Sequence, residues 1–244
     1  MARHPRLVVP GIALHVHPRG NNRQECFRQD ADRLVYVSML GEAASHRRCA
    51  IHAYCLMTNH VHLLLTPQDE ESCALLMRDL GRGYAAYFNR RYDKTGALWE
   101  RPFRSCLVDS AEYVIACYRY IERNPVKAHM VEMPVDYPWS SYFGNAALRT
   151  DSLLTPHAEY LALGLQAHAR QRAYVQLLDQ RDADEFVSEV REATEFGYPL
   201  IGERLRAQLE KDGVRLERGK PGRRPLQEAA QASEELSQLS MLEE

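Results

Sequence analysis

An α+β fold built on a four-stranded antiparallel sheet is predicted by three observations. Four short stretches are apolar with strand character, two longer stretches carry helical spacing, and their order is strand, helix, strand, strand, helix, strand. The first strand lies within Pro5 to His17, with Gly11 to His17 as its core. A turn rich in Gly, Asn and Arg follows at Pro18 to Arg23. Its composition suits either phosphate binding by backbone N–H groups and guanidinium forks or a plain solvated loop.

Asp30 to about His46 reads as the first helix, with Leu34, Val35, Val37, Ser38 and Leu40 on its packing side. A hairpin spans about 49–66, turning at Thr58-Asn59. Pro67 to Ser72 is turn-like, and Cys73 to Tyr92 is the second helix, packing through Leu75, Leu76, Leu80, Tyr84, Tyr87 and Phe88. Arg78, Arg82, Arg90 and Arg91 lie among those aromatics, a mixture that suits single-stranded nucleic acid and equally suits the wet face of an amphipathic helix. After the turn Lys94-Thr95-Gly96, the last strand falls near the end of 98–108. This order is the ferredoxin-like βαββαβ arrangement, with helices on one face of the sheet and the other face free for a site.

Ser110 caps a further helix, Ala111 to about Asn124, which Pro125 closes. Tyr120 and Asn124 are four apart and share a face, while Val114, Ile115, Tyr118 and Ile121 cover much of the opposite side. Beyond Tyr137-Pro138-Trp139-Ser140-Ser141-Tyr142 the chain becomes helical and more charged, with segments at 155–165, 169–179, 182–195 and 199–213. Arg215, Arg218, Lys220, Arg223 and Arg224 form a basic run, and residues 226–244 are a Gln/Glu/Ser-rich tail predicted to be disordered or loosely helical. The predicted units are therefore 5–145, a helical part at 150–225 and the acidic tail.

Composition excludes some classes. A hydrophobic share of 45% over 244 residues supports a real core. No apolar run approaches the roughly 18 residues of a membrane span, and the first residues lack a signal-peptide pattern, so a cytoplasmic location is expected. None of the six cysteines forms a Cys-x-x-Cys pair, which removes zinc-knuckle and thioredoxin readings and predicts reduced, mostly buried thiols. The net charge of −2 hides an uneven spread: the tail holds five acids and no Lys or Arg, whereas residues 81–128 carry nine Lys/Arg against five Asp/Glu. That balance suits a phosphate-binding surface without requiring one.

The residues that carry chemistry centre on His60-Val61-His62. Two apart on a strand, the imidazoles point to one face, and a bare pair is either two metal ligands or two ordinary strand residues. His15 and His17 repeat the spacing. Trp99 reads as core rather than as a base-stacking platform, and Tyr113 and Tyr118 are rivals to Tyr120 in the same helix.

Five motifs in order carry a resemblance: Arg19-Gly20-Asn21-Asn22-Arg23; Thr58-Asn59-His60-Val61-His62; Leu98 to Ser105; Tyr120-Ile121-Glu122-Arg123-Asn124-Pro125-Val126-Lys127-Ala128; and Pro138 to Tyr142. Together they resemble the REP-associated tyrosine transposases, single-tyrosine members of the HUH endonuclease superfamily related to insertion-sequence transposases. The resemblance covers about residues 5–145. It implies a DNA-nicking and strand-transfer enzyme for single-stranded, hairpin-forming DNA, such as a REP-like palindrome, working through a 5′-phosphotyrosine intermediate. Carried over by position, it makes Tyr120 the nucleophile and His60, His62 and Asn124 the ligands of Mg²⁺ or Mn²⁺. Arg19, Arg23, Arg101 and Arg104 are the candidates for phosphate contact. His17-Pro18 departs from the Thr-Gln-like pair expected there, and His17 either adds a metal contact or packs. Members work as monomers or as homodimers. The competing readings are a nucleic-acid-binding protein on the same fold without catalysis and a metal hydrolase that uses water.

Overall fold

The structure, a computed structural model, describes residues 7–179, 184–214 and 216. The basic run from Arg215 to Arg224 and the tail at 226–244 lie outside the described residues. Strands β1 (Ala13–His17), β2 (Cys49–Leu56), β3 (Val61–Pro67) and β4 (Arg104–Val108) form one antiparallel sheet in the order β2-β3-β1-β4. Helices α1 (Asp30–His46) and α2 (Ser72–Arg91) occupy the two crossovers. The ferredoxin-like order is therefore present.

β1 begins two residues later than predicted because Gly11, at φ 79, sits in a turn closed by Ile12 N–H donating to the Val9 carbonyl. The packing stripe of α1 also differs from the reading. Asp32, Tyr36, Leu40 and Ala44 are buried, four residues apart, whereas Leu34 is 61% exposed and Ser38 is exposed. Asp32 is a polar member of that stripe because its carboxylate accepts the N–H groups of Arg28 and Gln29 and the hydroxyls of Tyr87 and Tyr92.

Strand alternation divides the sheet residues between two layers. Leu14, Val16, Leu56, Val61, Leu63 and Leu65 join α1 and α2 in the first core. Ala13, Ala53, Cys55, Leu64, Cys106 and Val108 face the other way and pack in a second core. That face is not free, as the sequence reading had it. It is covered by α3 (Ala111–Glu122), which touches β2 and β3, and by α8 (Asp184–Phe196), which touches β4 and β1. Between them in sequence come the short helices α4 (Asn124–Lys127), α5 (Tyr142–Asn145) and α6 (Ala158–Ala162), then α7 (Ala167–Asp179); α9 (Glu203–Lys211) follows α8.

Helix α3 starts where predicted, with the Ser110 hydroxyl accepting the Tyr113 N–H. It ends two residues early. Arg123, at φ −89, ψ −2, caps both α3 and α4, and Pro125 sits in the first turn of α4 instead of closing α3. Glu122, at the end of α3, is completely buried. Its carboxylate accepts hydrogen bonds from the Ser141 hydroxyl at 2.6 Å, the Asn145 amide at 2.7 Å and the Tyr174 hydroxyl at 2.6 Å, tying α3 to α5 and α7.

Burial pushes the Glu122 carboxyl up to about 7, with those three hydrogen bonds pulling the other way. An acid with a raised pKa stabilises the fold below its unfolded value of 4.5 and loses that contribution as pH rises towards 7. The buried imidazoles act with the opposite sign. Desolvation lowers His15 to about 3 and His52 to about 4, so their contribution is present above 6.5 and is lost as pH falls. Glu122→Gln is therefore expected to lose more thermal stability than the parent on going from about pH 7 to about pH 5. Equal losses in the two melting series would contradict this account of the carboxylate.

Candidate metal and nucleophile site

Pairing of β1 with β3, in a register that sets Val16 opposite Leu63, brings the two His-x-His segments side by side on the second sheet face. The His62 ring stacks on His17 at a centroid distance of 4.5 Å and on His15 at 5.2 Å. His60 stands edge-on to His17 and His62, 5.0 Å from each. One ligand atom from each of His17, His60 and His62 lies within 4.8 Å of the others. Filling a covered sheet face with imidazoles is poor design for stability alone. Each position forgoes the ~1.5–3 kcal/mol of a buried aliphatic side chain, and a hydrogen bond returns only about 0.5–1.5 kcal/mol. Burial lowers His60 to about 4 and holds His17 and His62 well below the ordinary imidazole range, so all three are neutral near pH 7 and keep a lone pair for a cation.

The outer nitrogens are occupied. His60 Nδ1 hydrogen-bonds Asn59 Oδ1 at 2.7 Å, and the Asn59 amide is oriented by donating to the Arg23 carbonyl at 3.1 Å. His62 Nδ1 hydrogen-bonds His15 Nε2 at 3.0 Å. Both rings thereby keep Nε2 for the cluster, the arrangement in which metal-binding imidazoles are usually held. These donors fit a divalent cation.

Asn124 reaches the same place from α4. Its Nδ2 lies 3.2 Å from His62 Nε2, and its amide hydrogen-bonds both His60 and Tyr120. The break after Glu122 thus retains the proximity that a continuous helix was predicted to supply. Tyr120 packs edge-on to His62 at 5.3 Å and to His15 at 5.6 Å. Its face is not turned away from the packing, as the reading of α3 had it: the residue is 9% exposed. Burial raises its pKa, and the hydrogen bond from Asn124 and the charge of Arg191 on α8 oppose that shift. The rival tyrosines are engaged elsewhere. Tyr118 OH accepts the His157 N–H, and Tyr113 OH donates to Glu189.

The four arginines divide into two pairs. Arg19 is half-buried with Nε unpartnered, and its charge acts on His17 and His60. Arg104 follows opposite His17 on β4, also acts on it, and is ion-paired with Glu195 of α8. Arg23 and Arg101 are exposed on neighbouring loops, joined by Asn21 N–H donating to the Leu98 carbonyl and Glu100 N–H to the Arg19 carbonyl. Gly20 lets the first of these loops fold tightly on itself: a Cβ there would lie 2.2 Å from the Gln24 carbonyl oxygen. Trp99 packs between Tyr36 at 6.0 Å and Tyr84 at 5.9 Å, as the core reading has it. All six cysteines are buried and unpaired with one another.

Three residues exceed the sequence reading. His17 was left open between ligand and packing, and the structure puts it in the cluster. His15 had only its spacing as a signal. Thr194, which contacts His15 from α8, had none.

Residues 8–124 match the transposase family described as IS200-like. Over 100 residues the chain is 27% identical to a Haemophilus influenzae protein provisionally named a REP-associated tyrosine transposase, a match that covers 37% of this chain and 57% of that relative. A solved REP-associated tyrosine transposase bound to a REP hairpin superposes with a TM-score of 0.50 at 17% identity, over 65% of this chain and 93% of the other. At that identity the likeness is one of fold. The resemblance read from the motifs thus has independent support from sequence and from fold.

With Mn²⁺ as a paramagnetic probe, His60→Ala and His62→Ala are each expected to abolish binding, and His17→Ala to weaken it by about 10-fold or more. Electron paramagnetic resonance titrations report this directly. Unchanged affinity in His17→Ala would leave that ring a packing residue.

Proposed function

We propose that this chain, whose residues 8–124 carry the IS200-like transposase pattern, nicks and rejoins single-stranded, hairpin-forming DNA through a tyrosine nucleophile and a divalent cation. The observation that carries the reading is the meeting of Tyr120 from α3, Asn124 from α4, and His60 and His62 at the start of β3. In this reading residues 5–145 are the catalytic unit and 150–225 a helical extension. Arg19, Arg23, Arg101 and Arg104 contact phosphates.

The phenolate oxygen of Tyr120 attacks a backbone phosphorus, the bond to the 3′-oxygen breaks, and that oxygen leaves as a 3′-OH with the 5′ side joined to tyrosine. A second DNA 3′-OH reverses the exchange, so no external energy is needed. His60, His62 and Asn124, with His17 as a further donor, would hold the cation, which would supply charge withdrawal from the scissile phosphate. Mg²⁺ prefers oxygen ligands, and a set dominated by imidazoles favours Mn²⁺ over it. Asn124 orients the phenol, and Arg191 favours its ionised form.

The near-complete burial of Tyr120 favours a second reading, a DNA-binding protein on this fold without catalysis. The two separate cleanly. Incubated with a labelled single-stranded hairpin and Mn²⁺, the full chain is expected to yield a covalent protein–DNA adduct, and Tyr120→Phe to yield none while binding the hairpin with unchanged affinity. Bound, uncut DNA would favour the binding protein, and cut DNA without adduct would indicate attack by water.

A further inference from the structure

A buried chain of polar contacts runs from helix α8 to the imidazole cluster. The Thr194 hydroxyl on α8 donates to the Val190 carbonyl at 2.8 Å. With that proton directed to the Val190 carbonyl, the oxygen's lone pairs face His15 Nδ1 at 2.7 Å and Cys106 Sγ at 3.2 Å, and it accepts from both. His15 then carries its proton on Nδ1 and is an acceptor at Nε2, where His62 Nδ1 lies at 3.0 Å. His62 in turn carries its proton on Nδ1, which leaves Nε2 bare towards His17, His60 and the Asn124 amide nitrogen.

The reverse polarity is disfavoured at both ends. It would take the hydroxyl proton from Val190, and it would set an N–H on His62 Nε2 against the Asn124 NH₂ group at 3.2 Å. His15, His62 and Thr194 are each at most 4% exposed, so water does not substitute for any link.

We propose that His15 and Thr194 are positioning residues that hold His62 in the tautomer whose Nε2 lone pair faces the metal. Helix α8 then completes the metal site through a contact between residues 179 apart in sequence, and α8 lies outside the segment matched by the family. The inference rests on the reading of His60 and His62 as ligands.

The test uses the full chain with ¹⁵N-labelled histidine. Long-range ¹H–¹⁵N correlation reads which ring nitrogen of His62 bears the proton, a property that general loss of packing does not set. The metal-free parent is expected to show protonated Nδ1 and bare Nε2. Thr194→Val and His15→Leu are expected to mix or reverse the tautomers and weaken Mn²⁺ binding by about 10- to 100-fold, while Thr194→Ser retains both properties. A parent with protonated Nε2 overturns the proposal and needs no variant. So does Thr194→Val with parental tautomer and affinity. If instead the parent has the expected tautomer but Mn²⁺ leaves the His60 and His62 signals unbroadened, the ligand reading itself fails, and the assignment falls with it.

Discussion

Everything in this molecule hangs on the pairing of β1 with β3 at the centre of the sheet. Because side chains alternate, a register that drives Leu14, Val16, Val61 and Leu63 into one core necessarily delivers His15, His17, His60 and His62 to the opposite face. A slip of one residue would bury charge-capable rings under α1 and α2 and turn aliphatic residues towards α3 and α8. The same hydrophobic forces that fix the strands therefore aim the imidazoles, and no separate device is required to gather them.

What could be read before the structure follows from that logic. The strand order, the His60–His62 pair and the Tyr120–Asn124 spacing are local patterns, with periods of two and of roughly four, and they are visible in any window of the chain. The errors share a cause as well. Leu34 was placed inside because apolar character was allowed to outweigh phase, whereas Asp32 is inside because two tyrosines and two backbone amides satisfy it. Tyr120 reads as lying off the packed stripe because the covering helix α8 begins more than sixty residues later, beyond the reach of periodicity. Thr194 offered nothing to notice: a lone threonine in a helix acquires meaning only when its neighbour in space is known.

The second sheet face also shows how support for a site is divided. Glu122 fixes α3 through the hydroxyls of Ser141 and Tyr174 and the amide of Asn145, while the adjoining residues Tyr120 and Asn124 meet the rings. One helix end thus joins a satisfied structural carboxylate to a polar cluster that an aliphatic core would replace with profit in stability. The sequence neighbours Asn59 and His60 repeat the pattern on the sheet, where an amide anchored to the Arg23 carbonyl steadies the ring beside it.

The placement of α8 has a consequence for biosynthesis. A chain leaving the ribosome at about 5–20 residues per second presents both histidine pairs and the phenol well before the helix that roofs them, since α8 starts only at Asp184. Until then Cys106 and Val108 lack the cover that the finished protein gives them. The centre therefore cannot be closed until a helix synthesised after all four strands is in place.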